Sequence, residues 1–236
     1  MSIGKILGDA WGLYTRFFTQ FVMVAIPVFL VLGLVNALVR LAGDEGALAG
    51  VVWGLIGVAV SLVGYFWLQG ALIESVRDVR DGRADLSVGE IYARVRPRLP
   101  ALIVAGVLAG IGVGIGLVLL IVPGLFLLTR WALITPAIVI ERRSAGEAFT
   151  RSWELVKGAS WSMLGLILVT VILAGIASAV IAVLFVWLPD FFDDWVGSLV
   201  ANSLTAPFVA LAWTLAYFER AGAGMPEAAP VPDAPA

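Results

Sequence analysis

The sequence predicts an all-α membrane protein whose six transmembrane helices form three repeats, each an amphipathic interfacial helix followed by a helical hairpin. Three observations predict this. The chain is 61% hydrophobic and 14% charged, whereas soluble domains run near about 45–50% apolar and about 25% charged. Its apolar runs reach the roughly 20 residues needed to cross a bilayer. A short pattern, Ser2-Ile3-Gly4-Lys5, returns as Ser87-Val88-Gly89-Glu90 and Ser144-Ala145-Gly146-Glu147. Each copy opens an amphipathic stretch that leads into apolar sequence.

In the first unit, Ser2 is a potential N-cap. Ile3, Ile6, Leu7, Ala10, Tyr14, Phe17 and Phe18 recur at three- and four-residue spacing, with Lys5, Asp9, Arg16 and Gln20 opposite them. That is the pattern of a helix lying in the membrane surface. Spans follow at about 21–41 and 47–73, the first too long for an ordinary cleavable signal. Glu74 closes the second span and is expected to pair with Arg77.

In the second unit, Ser87 and Glu90 have capping-box spacing, and Pro97 and Pro100 are expected to end the short helix. Spans are predicted at about 101–122 and 125–140, with Pro123-Gly124 as the turn between them. In the third unit Ser144 and Glu147 repeat the capping spacing. Ala148, Phe149, Trp153 and Val156 are predicted on one face. Spans at about 161–188 and 195–218 complete the membrane domain 1–220, and the Ala/Pro-rich tail 221–236 is expected to be disordered.

Charge gives a direction. With these six spans, thirteen of the fifteen Lys and Arg residues fall on one side, Arg40 alone on the other, and Arg130 inside a span. The basic side faces the cytoplasm by the positive-inside rule. Both termini are therefore expected in the cytoplasm, with all three amphipathic helices at that face, where anionic lipids would attract them. These helices serve either as collars that orient the hairpins or as a docking surface for a protein partner.

Composition also excludes. The chain has no histidine and no cysteine, which removes the commonest general base and the usual zinc ligands. No catalytic, cofactor-binding or metal-binding set is predicted, and the net charge of −2 argues against nucleic acid. Two features invite a closer look. Gly106, Gly110, Gly112, Gly114 and Gly116 include four-residue spacings that permit close helix packing. Arg130 sits six residues past Gly124, roughly 9 Å along the span from the predicted turn. Asn36 and Asn202 are predicted at similar depth, so the three define a candidate polar pocket for an anionic headgroup or solute.

The stretch Val122-Pro123-Gly124-Leu125-Phe126, then Arg130-Trp131, Pro136 and Val139-Ile140-Glu141, then Ala148 and Arg151-Ser152-Trp153-Glu154-Leu155-Val156-Lys157-Gly158, carries a family resemblance. Together with Ser2-Ile3-Gly4, Trp11 and Tyr14, it resembles the membrane domain of bacterial glycerophosphodiester phosphodiesterases and the stand-alone YciC-like integral membrane proteins. The resemblance implies a bacterial inner-membrane location. It does not carry the phosphodiester chemistry, which in those enzymes belongs to a separate soluble barrel with catalytic histidines. The expected function is therefore a non-enzymatic scaffold or envelope-integrity component. The alternative is a transporter or lipid-handling channel built on the Arg130 pocket. Oligomeric state is not legible.

Overall fold

The computed structural model describes residues 2–43, 46–185 and 196–222. Among them there are helices and no strands. The long helices are α2 (Phe18–Gly43), α3 (Ala47–Asp78), α5 (Leu99–Leu119), α9 (Ser160–Phe185) and α10 (Ser198–Arg220). The shorter α6 (Ile121–Trp131) and α7 (Ile134–Ile140) continue one another as a broken span. In all, six segments are long and apolar enough to cross a membrane. Three amphipathic helices precede the hairpins: α1 (Ile3–Arg16), α4 (Val88–Val95) and α8 (Ala145–Val156). All of the predicted tail 221–236 after residue 222, the ends of spans 5 and 6 between 186 and 195, and Asp44 and Glu45 lie outside the described residues.

Boundaries moved where backbone chemistry had alternatives. The turn of the second hairpin falls at Leu120, whose backbone is extended, not at Pro123-Gly124. Pro123 lies in the first turn of α6, where a missing N–H costs no helical hydrogen bond. Likewise Pro100 sits in the first turn of α5 and begins that helix; α4 has already ended at Val95.

The core lies at one end of the bundle. Phe21 and Val24 of α2, Leu68 and Leu72 of α3, Leu102 of α5, Met163 and Leu166 of α9, and Leu211 of α10 are all buried there. The short helices join the same core through Ile6, Ala10 and Tyr14 of α1, Ile91 and Val95 of α4, and Ala148 and Leu155 of α8. Their apolar stripes therefore face protein, where the sequence pattern suggested a membrane surface. In α8 the buried face is also rotated from the one predicted: Ser152 is fully buried, whereas Trp153 is 40% exposed.

The far halves of the hairpins are different. Leu34 and Leu38, Leu55 and Val58, Val118 and Leu119, and Ile176 and Val180 are exposed. Bare aliphatic surface on this scale matches a hydrocarbon environment.

The glycines of α5 divide by what faces them. A Cβ on Gly106 would strike the ring of Phe66 in α3; one on Gly112 would come within 2.5 Å of Trp131; one on Gly116 would come within 2.9 Å of the Gly124 backbone. Gly110 and Gly114 have nothing within 4 Å. Close packing is thus real at Gly106, Gly112 and Gly116, while Gly110 and Gly114 face open space among the described residues.

Candidate functional site at the short-helix end

Two of the three repeated elements form complete capping boxes. The Ser87 hydroxyl accepts the Glu90 N–H and the Glu90 carboxylate accepts the Ser87 N–H; Ser144 and Glu147 do the same. Ser2 makes no side-chain cap bond; Lys5 in place of glutamate accounts for the missing carboxylate half of the box. The Ser144 hydrogen bonds hold the exposed Glu147 carboxyl below its ordinary range.

Charged side chains then lock the short helices to the long ones. Glu141, at the end of α7, accepts from Arg143 Nε at 2.5 Å, from Arg151 Nε of α8 at 2.8 Å, and from the Tyr217 hydroxyl of α10. Burial works against ionisation of Glu141, but the hydrogen bonds from Tyr217, Arg143 and Arg151 outweigh it, so its carboxyl titrates below the ordinary range. The link is sharpened at Arg142, which takes a left-handed φ of 58°. On α3, the buried Glu74 lies 3.7 Å from Arg77 and 3.6 Å from Arg94 of α4. The expected Arg77 pair is present, and Arg94 adds a tie between helices.

Arg130 belongs to this end too. Its Nη1 donates to the Trp153 carbonyl at 3.3 Å, and its guanidinium lies over the rings of Trp153 and Phe126, at 4.8 and 5.2 Å from their centroids. Arg220, from the end of α10, donates to the carbonyls of Leu155 and Lys157 at 2.7 and 3.0 Å. Two arginines from different spans thus cap the C-terminal carbonyls of α8, where the helix dipole favours positive charge.

That geometry separates the proposed pocket residues. Arg130 and Arg220 meet on the same turn of α8. Asn202 lies eighteen residues before Arg220 on α10, roughly 27 Å along that helix. It is exposed and donates to the Ser198 carbonyl of its own helix at 2.8 Å. Asn36 is exposed on α2, twelve residues beyond Val24, whose carbonyl binds Tyr92 of α4 at the short-helix end. The three do not converge. Asp190, Asp193 and Asp194 lie outside the described residues.

Sequence reasoning missed Ser152, Tyr217 and Arg220. Ser152 interrupts the apolar stripe four residues after Ala148, and Tyr217 is a polar head at the end of an apolar span. Those are the available signals. Among the described residues no group of three or more His, Cys, Asp or Glu is placed to hold a metal ion. Cavities among the described residues include a mixed recess of about 430 Å³ beside Lys5, Asp9 and Glu219, and two apolar clefts of about 510 and 400 Å³ between helices. The arrangement offers anchoring and charge: Glu141, Glu74, Arg130 and Arg220 hold helices together, while Lys5, Arg96, Glu154 and Lys157 stay exposed.

Fold and site together define a multi-pass helical membrane protein with an ion-paired seam of short helices. The chain belongs to the family described as a domain of unknown function (DUF7847), which it matches over residues 85–220. The match runs from just before α4 to the end of α10, so it includes both capping-box helices and their hairpins. No curated protein and no solved structure matches the chain.

Proposed function

We propose that this protein is a non-enzymatic scaffold of the bacterial inner membrane, with both termini and the three short helices on the cytoplasmic side. The short helices and hairpins are read as three copies of one unit, and the seam as a rigid platform for a cytoplasmic or membrane-bound protein partner. One observation carries the reading: the short helices are fixed in the core by buried stripes and by arginine–carbonyl and arginine–carboxylate bonds, while Lys5, Arg94 and Glu154 on them and Arg96 and Lys157 at their C-caps stay exposed. The resemblance to phosphodiesterase membrane domains, which accompany a catalytic domain, supports the same role.

The test is purification in mild detergent with identification of everything that co-purifies. A protein partner lost when exposed short-helix charges are reversed is the expected result. A specific small solute with no protein partner would overturn the scaffold reading in favour of transport.

A further inference from the structure

An apolar cleft of about 510 Å³ runs between α2 and α3, lined by Pro27, Val31 and Leu32 on one wall and Val60, Val63 and Trp67 on the other. Its volume lies in the range of small-ligand pockets, about 300–1,000 Å³. Tyr92 of α4 closes its lower end. Both polar heads at that end are turned away from the cleft and consumed. The Trp67 indole N–H donates to the Tyr92 carbonyl at 3.1 Å, and the Tyr92 hydroxyl donates to the Val24 carbonyl at 2.7 Å. Only ring faces and aliphatic groups remain, a surface suited to hydrocarbon.

A cationic residue follows Tyr92 by one helical turn. The Tyr92 carbonyl that accepts from Trp67 also accepts the backbone N–H of Arg96, so Arg96 starts within one hydrogen-bonded carbonyl of the cleft floor. Its neighbours are engaged: Arg94 pairs with Glu74, and Arg98 Nη1 donates to the Arg94 carbonyl at 2.6 Å. Arg96 is exposed, and its guanidinium has no partner among the described residues. An apolar slot within the span, with Arg96 one hydrogen-bonded carbonyl beyond its Tyr92 end, has the polarity of a phospholipid. The slot has the room for an acyl chain, and an arginine's fork suits phosphate oxygens.

We infer that the α2–α3 cleft is a binding site for one anionic phospholipid, its acyl chain between the Val31 and Val63 walls and its phosphate on Arg96. The site is independent of the scaffold reading: it needs no protein partner and would stand if none were found.

The test uses the whole chain, purified with extended detergent washing, and measures retained lipid by native mass spectrometry and headgroup analysis. Add-back uses vesicles of mixed zwitterionic and anionic phospholipid. The wild type should retain anionic lipid above its share in the membrane. Arg96→Gln should lower that retention several-fold, and Ala59→Trp, which fills the cleft, should abolish it. Ala59→Leu intrudes less and repeats the test if the tryptophan unfolds the hairpin. Retained lipid of bulk membrane composition, or anionic retention unchanged in Arg96→Gln and in the folded cleft variant, would overturn the inference.

Discussion

The hydroxyl of Ser152 donates to the backbone carbonyl of Arg130 at 2.7 Å, and the same oxygen accepts the Leu133 N–H at 3.1 Å. These backbone groups flank the break between α6 and α7, where the regular helix ladder is interrupted. A single side chain from α8 thus repairs a discontinuity in a span. Ser152 is fully buried, so water cannot take its place. Ser152→Ala should therefore destabilise the protein by about 1–3 kcal/mol, the usual cost of stranding buried polar groups. Thermal unfolding in detergent reads this, and an unchanged midpoint would refute the bridging role.

The three Ser-x-Gly elements should respond unequally to the same substitution. Ser87→Ala and Ser144→Ala each remove a formed cap and should cost about 1 kcal/mol. Ser2→Ala removes no side-chain cap bond and should be nearly neutral. Equal losses at all three positions would show that the serines act otherwise.

The glycines of α5 make a sharper set. Gly106→Leu and Gly112→Leu drive a side chain into Phe66 and Trp131, and overpacking of this kind costs about 1–3 kcal/mol. Gly110→Leu and Gly114→Leu meet open space and should be tolerated by the isolated chain. If Gly110→Leu instead changes the mass of the particle by light scattering while leaving its melting point alone, that face meets another copy.

Much of this was legible in sequence because it rests on local chemistry. Apolar run length marks the spans, and Ser87 with Glu90 marks a helix start by reciprocal hydrogen bonds that need no tertiary information. What escaped depends on partners far away in the chain. Nothing near Arg130 in sequence announces that it caps α8, because its acceptor lies twenty-three residues downstream. Depth counted from a turn also fails when the turn is misplaced: Leu120, not Pro123, reverses the chain. The apolar stripe of α1 is correct as a pattern and that of α8 is rotated at Ser152 and Trp153; in neither case can periodicity distinguish a helix facing lipid from one facing protein.

Acid should loosen the seam at Glu141. Its carboxyl titrates below the ordinary value of 4.5, so its stabilising contribution is complete above that value and is lost as pH falls through the depressed one. The wild type should hold its melting point from neutral pH down to that region and then decline. Glu141→Gln should melt lower at neutral pH and converge on the wild type in acid, as followed by unfolding scans across pH. Parallel curves for the two proteins would exclude the carboxylate as the acid-sensitive tie.

The sidedness of the seam can be read directly, since the chain has no cysteine to confuse labelling. Gly89→Cys places a thiol on the exposed side of α4, and Leu120→Cys places one at the far turn. In intact cells an impermeant maleimide should label only the second, and in inverted vesicles only the first. The reverse pattern would put the basic helices outside and contradict the charge distribution.

Arg130 decides whether a charge inside a span serves the fold or a ligand. Its guanidinium stacks on Phe126 and Trp153 while donating to the Trp153 carbonyl, beside the carbonyls taken by Arg220. Both the charge and the flat shape are used. Arg130→Lys keeps the charge near the α8 dipole but loses the stacked plane, so it should retain part of the stability. Arg130→Ala loses both and should cost more, on the order of 1–2 kcal/mol for an arginine at a partly desolvated aromatic site. The added Trp153→Ala change should cost less in the Arg130→Ala background than in the wild type, because the pair is already broken. Strict additivity in that double-mutant cycle, with normal expression of Arg130→Ala, would remove the structural role and return Arg130 to the candidates for ligand binding.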